Sequence, residues 1–359
     1  MKAILRWFER NFTNPQVLIL AALLLVGLGL VVFLGDILGP VLAAVVLAYL
    51  LEGVVRRVVE AGLGRPVAAP AVFAVFMVVG IAVLFGLVPM LSRQLTQLVG
   101  QLPAMFANGQ DWLMHLPARY PEIFTEAQVI DIIDRVREEI AGLGQTVVSL
   151  SLASVVNLIA FMVYLILVPL MVFFFLKDKH QILDWMTRYL PENRALAQRV
   201  WRDVDAQIGN YIRGKFWEIL IIWFATYLLL TFVGLQFAML LSLLVGLSVI
   251  IPYIGATVVT LPIFAVGVFQ FGWTTELAQL MIGYGIIQFL DGNLLVPLLF
   301  SEVVNLHPIA IIVAILFFGG IWGFWGVFFA IPLATLVKAV LHAWPDEEHA
   351  DDLEAEAGP

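Results

Sequence analysis

Apolar residues run without a polar break from Val17 to Leu34, then from about Ile37 to Val55, and again from about Val67 to Met90. Two further runs, Leu152 to Leu176 and Phe216 to Val233, follow after polar stretches. Each has the length, about 20 residues, that an α-helix needs to cross the hydrocarbon of a bilayer. The five runs are therefore read as membrane spans. The first follows the basic start MKAILRWFER and has no small-x-small cleavage site behind it, so it is expected to be a retained span and not a targeting peptide. From Leu235 apolar sequence continues to Val340 with proline and glycine interruptions, and there the pattern does not fix the boundaries.

Two polar segments separate the spans. In the stretch from Leu91 to Val148, Leu91, Leu95, Leu98 and Leu102 recur at helical spacing; the pattern is expected to break at Pro103, Pro117 and Pro121 and to resume with Ile130, Ile133, Val136 and Ile140. From Lys177 to Lys215, a longer helix is expected after Pro191, with Leu196, Val200, Val204 and Ile208 on one face. Both read as amphipathic helices whose single apolar stripe packs on neighbouring helices or the membrane surface. A specific partner-binding role is the alternative.

Composition agrees with the pattern. Hydrophobic residues make up 62% and charged residues 13% of the 359 residues, against about 25% charged in soluble domains. The net charge of -8 says little about partners, because seven of the 27 acids lie after Trp344 in a solvated acidic tail. There is no cysteine, which excludes disulfides, thiolate metal sites and cysteine nucleophiles.

The basic residues orient the chain. Lys2, Arg6 and Arg10 precede the first span, Arg56, Arg57 and Arg65 follow the second, and eight more lie between Lys177 and Lys215. If the five spans alternate, all fourteen fall on one side, which the positive-inside rule makes the cytoplasm. Lys338 places the C-terminus there too, so an even number of crossings is expected.

The candidate chemistry lies in the last third. Asp291 sits in IIQFLDGNLLVPLLF, where an ionised carboxylate would cost roughly 2.5 to 3.5 kcal/mol at membrane depth. Gln288 precedes it by one turn and is expected to hydrogen-bond the carboxyl; Gly292 is expected to distort the helix and turn Asn293 into the same cavity. An apolar run is broken at Pro252, Tyr253 and Gly255, and another at Gly319, Gly320, Gly323 and Gly326, followed by Pro332. Irregular backbone at membrane depth survives only where protein buries it or it lines a wet cavity. Such breaks around an intramembrane acid are the parts from which transporter sites are assembled; kinks and close glycine packing alone are the plainer explanation. Glu302 and His307 lie in a connecting loop before Pro308, which is expected to start the next helix, and a gating or relay role is a second possibility.

Other chemistry is excluded or weak. Gly209 to Lys215 imitates a phosphate loop, but Phe216 replaces the required Ser or Thr and the segment continues a helix, so Tyr211, Arg213 and Lys215 are read instead as anchors at the cytoplasmic interface. The histidines have no metal-ligand spacing, and no nucleophile motif is present. No enzyme activity, cofactor, metal or nucleic-acid partner is expected.

The runs LAYLLEGVVRRV, VPLMVFFFLKDKHQI, IGNYIRGK, VIIPYIGA, DGNLLVPLLFSEVVNLHP and FGGIWGFWGVFFAIPLATLVKAVLHAWPD resemble the permeases of the autoinducer-2 exporter family, from about Trp7 to Pro345. The matching positions include Pro252, Tyr253, Gly255, Asp291, Gly292, Asn293, Pro297, His307 and Pro308. The resemblance implies a bacterial inner-membrane transporter of about eight transmembrane helices or re-entrant segments, homo-oligomeric, with autoinducer-2 export or exchange of sodium or lithium for protons among the activities linked to members.

The expectation is thus an all-α polytopic membrane protein. It is divided into N-terminal membrane helices (1–90), an extracytoplasmic amphipathic region (91–148), a membrane helix (149–176), a cytoplasmic amphipathic region (177–215), a C-terminal membrane region with broken helices (216–342) and an acidic tail (343–359). Its expected function is ion-coupled efflux of a small solute with H+ or Na+, Asp291 lying in the pathway. A membrane scaffold without transport activity is the alternative.

Overall fold

The structure, a computed structural model, describes residues 37–119, 125–131, 133–135, 137, 154–189, 195–252, 254–300 and 306–343, together with isolated positions between 22 and 35. The expected first span, the acidic tail, Tyr253 and Glu302 lie outside the described residues, except for those isolated positions of the span and Ala343 at the start of the tail. All the described elements are helical. Among the described residues, five helices are long and apolar enough to cross a membrane: Arg65–Ala107, Val200–Val233, Ile254–Phe271, Thr275–Phe300 and Pro308–Phe328. A sixth crossing is available if the bent pair Phe161–Lys177 and Lys179–Thr187 counts as one.

In chain order the described helices include α1 (Gly39–Glu60), α2 (Arg65–Ala82), α3 (Val88–Met114), α4 (Ser154–Lys177), α5 (Lys179–Thr187), α6 (Ala195–Val233), α7 (Ala238–Ser248), α8 (Ile254–Phe271), α9 (Thr275–Leu290), α10 (Val296–Phe300), α11 (Pro308–Phe328) and α12 (Ala330–Ala343). Five-residue π segments, Val83–Leu87 and Asp291–Leu295, join α2 to α3 and α9 to α10. The break expected at Pro103 does not occur. Pro103 lies inside α3, and the third span runs on into the polar segment after it as one helix of 43 residues, Arg65–Ala107. A proline costs a helix one donor and crowds the preceding turn, and long flanking helical stretches absorb that local loss.

The described residues fall in two compact units, one within Met1–Phe73, Val168–Trp217 and Val296–Pro359, the other within Ala74–Leu167 and Glu218–Leu295. In the first, Val200 and Val204 of α6, with Ile208, pack against Leu336, Ala339 and Val340 of α12. The stripe read from the sequence is therefore a packing face, and Leu196 adds no described side chain to it. In the second unit the core is built from Ile222 and Leu230 of α6, Leu241 and Val245 of α7, Ile263 and Val266 of α8, and Leu280 and Tyr284 of α9. Small residues let these helices approach: a Cβ on Gly246 would stand 2.7 Å from Trp223 Cβ and 2.9 Å from the carbonyl oxygen of Ile219.

Candidate functional site

Each unit contains a segment that doubles back. In the second, α7 has 11 residues, about 17 Å of helix, too short to cross a hydrocarbon core of about 30 Å. It ends in successive turn bonds from Ile250 N to Leu247 O (3.2 Å) and from Ile251 N to Ser248 O (3.0 Å). The chain then turns at Pro252 and restarts as α8, where a Cβ on Gly255 would fall on the carbonyl of Ser248. Only glycine allows this contact between the two limbs. The break read around Pro252 and Gly255 is therefore the tip of a helical hairpin.

In the first unit the run of glycines does the same. Gly323 has φ 55° and ψ -133°, which is not helical. A Cβ on Gly326 would fall on the carbonyl of Phe318, and one on Gly319 would come within 2.8 Å of Val327 Cγ2. Residues eight apart in a straight helix are about 12 Å apart, so backbone contact at that spacing requires the chain to reverse at Gly323. Pro308–Phe328 thus does not cross as one rod, despite its length. Gly320 has open space around it and is not a packing glycine. Pro332 is buried in α12, where its carbonyl accepts from Thr335 Oγ1 at 2.8 Å.

Asp291 opens the π segment at the end of α9. It is half-buried, with Oδ1 inaccessible to solvent. Tyr284 and Gln288 stand seven and three residues before it on the same side of the helix. Tyr284, 2% exposed, ties this helix to the hairpin: its hydroxyl donates to Ala256 O at 3.3 Å and lies 3.4 Å from Thr260 Oγ1, which itself donates to Ala256 O at 2.7 Å. One face of α9 therefore leads from the acid at the π segment to the first turns of α8.

Two expectations for this face are corrected. Gln288 Nε2 is buried but makes no hydrogen bond with any described residue, so the expected bond to Asp291 is not formed. Asn293 is exposed and does not join the acid; its Nδ2 donates to Phe289 O at 2.9 Å. His307 is exposed and caps α11, its Nδ1 accepting from Ile309 N at 3.3 Å, with Pro308 in the first turn as expected.

The anchor reading of Tyr211 and Lys215 is overturned by burial. Tyr211 is 1% exposed against Phe300 and Phe328, and Lys215 is 4% exposed with Nζ 5.3 Å from the Phe300 ring centroid. Gly214 makes room, since a Cβ there would stand 2.7 Å from Phe300 Cε1. Arg213 turns to Asn210, donating to its Oδ1 at 2.8 Å.

The sequence reading missed Glu218. It lies inside the fifth span at 2% exposure, and with Ile222, Thr226 and Leu230 it forms one buried row at four-residue spacing. Its signal was an acid three residues after a lysine at the start of an apolar run, and it was passed over in favour of Asp291. Thr226 is fully buried, and its Oγ1 has no hydrogen-bond partner among the described residues. No cluster of three or more His, Cys, Asp or Glu side chains suited to a metal occurs among the described residues.

An all-helical chain with several membrane-length apolar helices, hairpins that double back and a half-buried acid at an irregular turn is a polytopic membrane transporter by class. The model of the AI-2E family transporters matches residues 19–346, and the chain belongs to that family. It is 47% identical over 353 residues to a protein of Escherichia coli (strain K12) named as a permease, PerM, covering 98% of this chain and all of that one. It is 25% identical to a Bacillus subtilis (strain 168) protein named as a transport protein, YueF, over 86% of this chain and 84% of that one. A second Escherichia coli (strain K12) protein, named as a transport protein, YhhT, is 22% identical over 91% of this chain and 90% of its own length. These are names of transporters, not of enzymes.

Proposed function

We propose that the chain is an ion-coupled exporter of a small solute, with Asp291 as the group that alternately binds and releases H+ or Na+. The observation that carries this reading is the placement of Asp291. It is a half-buried acid at a π segment, on the helix whose Tyr284 is bonded to the α7–α8 hairpin. A carboxylate at membrane depth is stabilised by a proton or a cation, and irregular helical turns concentrate at functional positions. Binding or release at Asp291 changes the charge on α9, and the Tyr284 bond to Ala256 O gives that change a mechanical route to the hairpin. Glu218, buried in the fifth span of the same unit, is the candidate partner in coupling.

The charge distribution of the loops supports an inner-membrane protein with both termini in the cytoplasm. A homo-oligomer is part of the same reading, supported by large exposed apolar side chains such as Phe232, Phe289 and Leu298 on the single chain.

Flux from proteoliposomes tests it. Purified protein should drive saturable solute movement, with a cytoplasm-to-outside preference, when a proton or sodium gradient is imposed, and Asp291→Asn should reduce gradient-driven flux about tenfold or more while leaving solute counterflow measurable. An unchanged pH profile in that variant would remove Asp291 from the mechanism. Flux that does not saturate would replace the carrier by a channel.

A further inference from the structure

The bend between α4 and α5, 81° in angle, encloses a cavity of about 220 Å³ in the first unit that the transport reading does not use. Ala48 of α1, Phe175 of α4 and Leu183 of α5 contribute to a mainly apolar wall. Charged groups are set into it unequally. Glu52 accepts two bonds from Arg65, at 3.0 and 2.9 Å, and one from Lys179 at 3.3 Å, so two cations share one carboxylate. Asp205 accepts the hydroxyl of Tyr49, a neutral donor, and forms no ion pair among the described residues. The cavity wall therefore carries Lys179, Glu52 and Asp205 on an apolar surface, with Arg65 behind Glu52, Arg213 of α6 within electrostatic reach of Asp205, and Trp201 on α6 beside it.

Its depth follows from the sequence of α4. The apolar run ends at Lys177, Asp178 and Lys179, which places this end of the helix at the level of the lipid headgroups. Beyond the bend, Trp185 of α5 and Tyr189, just past its end, are exposed and meet edge to face at 5.3 Å, an aromatic pair of the kind that sits at a membrane interface.

We propose that this cavity binds the head of an ammonium-bearing phospholipid. The phosphate meets the excess cation of the Glu52, Arg65 and Lys179 cluster, the ammonium meets Asp205 and the Trp201 ring, and the start of an acyl chain covers Ala48, Phe175 and Leu183. A purely anionic lipid uses only the first contact. A water-soluble amine leaves the apolar wall uncovered.

Native mass spectrometry of the full chain in detergent, titrated with phosphatidylethanolamine, phosphatidylglycerol or phosphoethanolamine, reads the occupant directly. The expected result is about tenfold tighter retention of phosphatidylethanolamine than of phosphatidylglycerol, the size of effect that one charge-assisted contact gives. Asp205→Asn should abolish that preference and leave phosphatidylglycerol binding as it was, whereas Ala48→Phe, which fills the cavity and keeps every charge, should weaken both lipids. Equal retention of the two lipids by the unaltered chain overturns the proposal, as does unchanged binding in Ala48→Phe, which remains a valid test if loss of the Tyr49 acceptor prevents Asp205→Asn from folding. Phosphoethanolamine bound as tightly as the lipid assigns the cavity to a soluble ligand and overturns it too.

Discussion

The glycines of this chain do different work, and substitution separates them. At Gly326 an added methyl would overlap the carbonyl of Phe318, and at Gly255 that of Ser248, so neither strain is relieved by turning a side chain. Gly326→Ala and Gly255→Ala are each expected to cost about 3 kcal/mol or more, visible as lost monodisperse protein on gel filtration in detergent. Gly320→Ala, with nothing within 4 Å, should change thermal stability by less than about 1 kcal/mol. Thr226 gives the opposite kind of prediction. Its buried Oγ1 lacks a hydrogen-bond partner among the described residues, so Thr226→Val should leave stability unchanged or raise it by up to about 1 kcal/mol, read as an unchanged or higher melting temperature. A marked fall would instead show that Oγ1 has a bound partner in the working protein.

Among the elements, α5 is held by charge as well as by packing. Glu52 joins Arg65, which opens α2, to Lys179, which opens α5, and Arg65 also donates to the Leu176 carbonyl at the end of α4 at 3.2 Å. Removing the carboxylate leaves two cations facing each other. Because these side chains are 23 to 39% exposed, solvent screening limits the effect, and Glu52→Gln should cost about 1 kcal/mol. Hydrogen exchange is the sharper measure: amides of α5 should exchange faster in that variant, while those of α8, in the other unit, should not. At this scale the sequence was informative in places. The period of Val200, Val204 and Ile208 correctly announced a packing face. The hairpins were only half visible, because proline and glycine mark where a helix stops being regular but do not say whether the chain bends or reverses. That distinction appeared only when Gly326 was seen against Phe318 and Gly255 against Ser248.

For the whole molecule, the exposed apolar surface of the spans, including Phe232 at 91% and Leu298 at 68%, is compatible only with lipid or neighbouring subunits as surroundings. Chemical cross-linking in native membranes should therefore yield discrete oligomers of this chain, and their absence would leave lipid as the sole cover for these faces. Transport belongs to this scale as well. If Asp291 and Glu218 act in one cycle, flux losses in Asp291→Asn and Glu218→Gln should fail to add in the double variant, whereas independent roles should give additive changes in the logarithm of the rate.

Amino-acid order alone determined that the protein is all-helical and lies in a membrane, because about 20 consecutive apolar residues have no other stable environment. It also singled out Asp291, because an isolated acid in such a run is costly enough to stand out without coordinates. Tertiary structure decided what those features amount to. It turned the glycine and proline breaks into hairpins, separated Asn293 from Asp291, and withdrew Tyr211 and Lys215 from the interface. It brought Glu218 into view as a buried acid. The physical reason is that hydropathy is a property of single residues summed along the chain, whereas burial and backbone contact depend on which distant residue arrives opposite.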